Sequence, residues 1–116
     1  MKLKELVSKL EIDIRKLTAY ALKLNSPKGA DKAIMFMKHL GYSENNYQFL
    51  LDQIYAKALE QEVVFHSKDE FGQRYNMDLE VRGMEIGQQE IVRIGWIIAP
   101  NSNTARLITI YIRKRS

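Results

Sequence analysis

The sequence predicts an α+β fold in which N-terminal helices pack on one face of an antiparallel meander of three to four strands. Three observations carry this expectation. Apolar residues recur at helical spacing up to about Glu60 and at a spacing of two beyond it. Two turn-forming segments, Gly83 to Gly87 and Pro100-Asn101-Ser102-Asn103, punctuate the second half at hairpin intervals. Helices first and strands afterwards is the order of an α+β fold, whereas alternating elements would point to a parallel sheet. A chain of 116 residues, 46% hydrophobic and 28% charged, suits one domain with one core over residues 1–116.

Each element has its own signal. Leu3, Leu6, Val7 and Leu10 fall at helical spacing, but the alternation Glu11-Ile12-Asp13-Ile14 follows at once and leaves the segment open between helix and strand. Leu17, Tyr20, Ala21 and Leu24 form one apolar stripe of a helix that Asn25-Ser26-Pro27 stops, because proline disfavours helix in the residue before it. A second helix runs from near Gly29 through Met37, with Ala33, Phe36, Met37 and Leu40 as its buried stripe and Gly41 as the residue that ends it. Ser43 is a candidate cap for a third helix over about Glu44 to Leu59, buried through Tyr47, Leu50, Leu51, Ile54 and Ala58. Val63-Val64-Phe65 has the length and branching of a short strand. Phe71, Tyr75, Met77, Leu79 and Val81 then alternate with Arg74, Asn76, Asp78 and Glu80, the pattern of a half-buried antiparallel strand. Ile91 to Ile98 and Arg106 to Ile112 supply the last two strands.

Composition excludes several classes of chemistry. Without cysteine the chain forms no disulfide, thiolate or iron–sulfur site, which fits a reducing cytosol. The two histidines, His39 and His66, are not spaced as ligands, so neither a metal nor a cofactor is expected. No apolar h-region follows Met1-Lys2-Leu3-Lys4-Glu5, and no run approaches the length of a membrane span, so the expected location is cytoplasmic. Net charge is +4, with Arg106, Arg113, Lys114 and Arg115 gathered near the C-terminus without an acid among them. Clustered cations of this kind attract phosphate.

Strand parity points to a polar sheet face. Val92, Ile94, Trp96 and Ile98 share the core side, as do Ile108, Ile110 and Ile112; Leu107, Thr109 and Tyr111 then point outward with Arg93 and Gly95. That face is expected to gather Arg74, Asp78, Arg93, Thr109 and Tyr111 around a gap left by Gly95. Guanidinium and hydroxyl groups in such a cluster suit a phosphate or carboxylate, and cross-strand Arg–Asp pairing is the competing use of the same residues. His66 is a candidate proton carrier because its ordinary pKa lies near neutrality. Lys28 and Lys32 flank the predicted start of a helix at Pro27-Lys28-Gly29-Ala30-Asp31-Lys32, where an anion could bind; the segment lacks the leading glycine and Lys-Ser/Thr end of a P-loop.

Five segments in order carry a resemblance: Asn25 to Ala33, Leu40-Gly41-Tyr42-Ser43, Phe71-Gly72-Gln73-Arg74-Tyr75, Val92-Arg93-Ile94-Gly95-Trp96, and Ala105 to Tyr111. Together, over roughly residues 12 to 112, they resemble the uncharacterised bacterial family known as domain of unknown function 6883. Members of that family occur as small standalone proteins and as terminal domains of phage-head and toxin-like proteins. Two positions depart from the family pattern: Ser26 stands where histidine is common, and Ile94 where threonine is common. The resemblance implies a small toxin-like domain, with a metal-independent RNase of barnase, colicin or RelE general shape as the leading expectation. In that reading Arg93 and Arg106 stabilise a developing phosphorane, Tyr111 or His66 handles protons, and Lys28, Lys32, Arg74 and Thr109 hold substrate. The alternative is a non-enzymatic protein-interaction domain of a toxin–antitoxin or phage-related system, whose partner would be an antitoxin or immunity protein.

Overall fold

A computed structural model describes residues 1–24 and 30–113. The chain folds as a mixed α+β structure with a five-stranded, mostly antiparallel sheet. Its strands are β1 (Lys9–Glu11), β2 (Val64–Asp69), β3 (Gly72–Arg82), β4 (Gln89–Ile98) and β5 (Thr104–Ile112), and its longer helices are α1 (Ala30–Leu40) and α2 (Gln48–Lys57). The spatial order is β1-β5-β4-β3-β2, and only the β1–β5 pair is parallel. The last four strands are the expected meander. The expectation of three to four strands misses β1.

That strand forms because the first apolar cluster is spent in a single 3-10 turn, Leu3–Glu5, which buries Leu3. The chain then extends, and Asn103 receives it: the Ser8 and Lys9 N–H groups both donate to the Asn103 carbonyl at 3.2 Å, and Ser8 N–H also donates to Asn103 Oδ1 at 2.9 Å. The Asn103 amide in turn donates to the Ser8 hydroxyl. The pairing Lys9 to Thr104, Leu10 to Ala105 and Glu11 to Arg106 follows.

The next helical segment carries a π turn, Leu17–Ala21, in which Leu22 N–H donates to Leu17 O at 2.9 Å. A five-residue closure rotates the apolar stripe. Leu17, Ala21 and Leu22 are buried, while Tyr20 and Leu24, expected in the core, are exposed. The expected stop at Asn25-Ser26-Pro27 and the helix start at Gly29 lie outside the described residues. In α1, Ala33, Phe36 and Leu40 are buried, but Met37 lies on the solvent side, one position past the stripe. The third helix begins at Gln48 rather than near Glu44. Ser43 Oγ accepts from Asn45 N–H within a turn and so does not cap a helix. Leu50, Leu51, Ile54 and Ala58 are buried as expected.

Helix α1 packs on β4 and β5, and α2 on β3. One sheet side, with Met77, Leu79, Val81, Val92, Ile94, Trp96, Ile110 and Ile112, joins Phe36, Leu40, Leu50, Leu51 and Ile54 in a single core. Trp96 is 0% exposed. Phe71, expected to belong to this side, sits in the β2–β3 turn and is exposed, because the strand begins only at Gly72. Gln53 ties α2 to the end of β3 like a strand partner. Its amide donates to Arg82 O at 3.0 Å and accepts from Arg82 N–H at 2.8 Å, and it donates to the Tyr42 hydroxyl at 2.7 Å.

Parity in β5 changes midway. Gly95 pairs with Thr109 and Trp96 with Leu107, so Ile108 is an extra residue in β5. Such a bulge shifts the alternation by one. Ala105 and Leu107 are therefore buried below it, and Ile110 and Ile112 above it. Leu107, expected outward, is a core residue; Thr109 and Tyr111 lie on the outer side as expected.

Candidate functional site

The outer side of the sheet is organised by cross-strand rows. Asp78, Arg93 and Tyr111 pair in register across β3, β4 and β5, and Asn76, Gly95 and Thr109 form the neighbouring row. In the first row Arg93 grips Asp78 with two bonds, Nε to Oδ1 at 2.9 Å and Nη2 to Oδ2 at 3.1 Å. Arg113 adds a third, Nη1 to Oδ2 at 2.8 Å. The Arg93 hydrogen bond, reinforced by the charge of Arg93 and then of Arg113, holds the Asp78 carboxyl below the usual carboxylate range. Asp78, and to a smaller degree Tyr111, raises Arg93 above its ordinary value. Arg93 is thus half-buried and already paired, the cross-strand use of the residue that the sequence held open.

Gly95 leaves no vacant space. A Cβ built there would stand 2.3 Å from Thr109 Oγ1, so the threonine side chain fills the expected gap. Concave surface near these residues lies instead at the edge of β5. β1 pairs only with Thr104 to Arg106, and beyond that point the π-turn segment and the start of α1 lie along β5. A cleft of about 230 Å3 is lined by Lys16, Tyr20, Ala21, Lys32 and residues 107–110. A second cleft of about 450 Å3 is lined by Asp31, Lys32, Met35, Tyr111, Ile112 and Arg113. Lys32 lines both. Its Nζ stands 5.3 Å from the centroid of the Tyr111 ring, a cation–π contact. Among the described residues no carboxylate forms an ion pair with Lys32. The clefts therefore collect Lys16, Lys32 and Arg113 against Asp31, with the hydroxyl-bearing Tyr20, Thr109 and Tyr111, and the Arg93–Asp78 pair adjoins them through Tyr111 and Arg113.

Of the residues singled out by sequence, the fold brings Lys32, Arg93, Thr109 and Tyr111 together. It sets the others apart. His66 lies at the bulge in β2, exposed, with Nδ1 3.0 Å from Ser67 Oγ. β3 and β4 stand between β2 and β5, three strand spacings of roughly 14 Å in all. Arg74 is ion-paired with Asp69. Arg106 is exposed in the row of Ile97, four residues along β4 from Arg93, or roughly 13 Å. Lys28 lies outside the described residues, as does Ser26; Ile94 is fully buried, so that position packs the core. His39 stands in the last turn of α1 with Nδ1 4.0 Å from Glu90 Oε1.

Three cleft residues escaped the sequence reading. Tyr20 fits the core by its spacing from Leu17 in an ordinary helix, and the π turn turns it out. Arg113 read as part of a basic tail, although its i, i+2 relation to Tyr111 puts it on the same strand face. Lys16 gave no separate signal. Among the described residues no three His, Asp or Glu side chains gather as metal ligands, and no helix is long and apolar enough to cross a membrane.

Fold and site together define a mixed α+β domain with a cation-lined cleft along one edge of its sheet. The chain belongs to the family described as Domain of unknown function (DUF6883), whose family model matches residues 2–114. No curated protein and no solved structure gives a match.

Proposed function

We propose that this is a small toxin-like domain that engages RNA through its phosphates at the β5-edge cleft. The observation that carries the reading is Lys32, a cation held by an aromatic face and, among the described residues, in no ion pair, in a cleft that also contains Lys16, Tyr20 and Thr109. Ammonium and hydroxyl donors make charge-assisted hydrogen bonds to phosphate oxygens. The metal-independent RNase is the stronger form of this proposal. Tyr111, beside Lys32, is then the proton carrier, and Arg93, its cross-strand partner steadied by Asp78, a group that can offset charge on phosphorus. His66 has no part in it, since it lies across the sheet.

The test is fluorescence anisotropy of a labelled RNA at two salt concentrations. Wild type binds at low salt and releases as salt rises, because neutralising phosphates frees counterions. Lys32→Ala weakens binding, whereas Arg106→Ala, outside the cleft, changes it little. Absence of wild-type binding at low salt would sink the reading. Incubation with total RNA, with and without EDTA, decides whether cleavage accompanies binding.

A second reading, a protein-interaction domain facing an antitoxin or immunity protein, is favoured by the other sheet edge. β2 is an edge strand, and Val64, Phe65 and Phe71 in and beside it are 70%, 54% and 65% exposed. Exposed apolar edges are templates for strand addition. This reading expects no RNA binding and loss of the protein complex in Phe65→Lys.

A further inference from the structure

Resting on the RNA-binding reading, we propose that the cleft takes a single-stranded nucleotide chain and holds a base as well as a phosphate. Lys32 leaves the Tyr111 ring for the phosphate as the base takes its place.

The two neighbouring clefts, which share Lys32 and are treated as the halves of one site, differ in chemistry. The smaller, about 230 Å3, presents Lys16, Lys32 and the hydroxyl-bearing Tyr20 and Thr109, a set suited to a compact anion. The larger, about 450 Å3, is lined by the apolar Met35, Tyr111 and Ile112 together with Asp31, Lys32 and Arg113. Its volume lies within the range of small-molecule sites, roughly 300–1,000 Å3. A cavity walled by an aromatic ring, a thioether and a branched aliphatic chain suits a flat aromatic body. A phosphate alone would leave those walls wet. An aromatic side chain beside a basic groove is the arrangement by which proteins hold unpaired bases, since every base has a face to stack.

Lys32 joins the halves. With its Nζ 5.3 Å from the Tyr111 centroid, it covers the ring that a base would use. A cation–π contact near solvent is weaker than a charge-assisted hydrogen bond to phosphate, so a bound phosphate draws the ammonium away. The same movement uncovers the Tyr111 ring. A duplex exploits this poorly, because both faces of every internal paired base are already stacked.

Three labelled ligands test the proposal by anisotropy at low salt: a single-stranded oligoribonucleotide, its duplex, and an abasic strand of equal charge. Wild type should bind the single strand best, with the duplex and abasic strand weaker by roughly 5- to 150-fold, the contribution of stacking one base. Tyr111→Phe should keep the preference, and Tyr111→Leu, checked for an unchanged melting temperature, should lose it. Equal binding of the three ligands, or a preference that survives Tyr111→Leu, overturns the proposal while leaving phosphate recognition intact. Failure of every ligand to bind removes both.

Discussion

Replacing Trp96 with alanine opens a large hole in the core, because the indole is fully enclosed. The substitution should cost about 3–5 kcal/mol, measured by urea denaturation. A loss below about 1 kcal/mol would mean that the indole is not enclosed. Its position was legible because Val92, Ile94 and Trp96 alternate without interruption. Leu107 was not, since a bulge one residue long leaves no mark in a run such as Leu107-Ile108-Thr109-Ile110. Beside the tryptophan, Gly95 and Thr109 fit as a pair. Gly95→Ala drives a methyl group to within 2.3 Å of Thr109 Oγ1, and such overpacking costs about 1–3 kcal/mol. Thr109→Ala removes the colliding oxygen and leaves Cβ at 3.6 Å, so the double variant should recover most of the loss. Strict additivity in a double-mutant cycle would contradict the contact.

At the scale of elements, periodicity revealed helices and strands but not their attachments. β1 is three residues long, too short for any pattern, and it exists because Asn103 offers both main-chain and side-chain partners to Ser8 and Lys9. Asn103→Ala should cost about 1–2 kcal/mol and speed hydrogen exchange at Lys9 to Glu11 above that of the other strands. Unchanged exchange would show that backbone pairing alone retains the strand. The β2–β3 turn depends on Gly72, whose φ of +139° suits no other residue and whose Cβ would lie 2.2 Å from Ile98 O. The sequence offered this glycine beside Phe71, and the exposed position of Phe71 follows from the turn. The rotated stripe after Leu17 has a similar origin: a five-residue closure turns Tyr20 out of the core and into the cleft, which no fixed helical period anticipates.

Over the whole molecule, the site assembles from segments far apart in sequence: Lys16 and Tyr20, Lys32, then Thr109 to Arg113. The alternation of β5 made Thr109 and Tyr111 legible as outward residues. Their neighbours were not, because only the docking of the π-turn segment and α1 against the free length of β5 brings the lysines there. Asp78 links this region to stability. Its carboxyl is held below its ordinary pKa by Arg93 and Arg113, so its contribution is complete above the unfolded value of about 3.9 and disappears as pH falls through the lower folded value. Wild type should therefore exceed Asp78→Asn in stability at neutral pH, with the difference shrinking below about pH 4. A constant offset down to about pH 2 would deny the ion pair that role. The parallel seam between β1 and β5 has a mechanical consequence. Traction applied at residues 2 and 113 draws two neighbouring parallel strands in opposite directions along their common axis, so the bonds of Lys9 to Glu11 with Thr104 to Arg106 bear load together in shear. An antiparallel terminal pair would unzip one bond at a time. Once the bridge of Lys2 with Glu62 has given way, this seam is what resists the pull, and Asn103 should govern how long it holds.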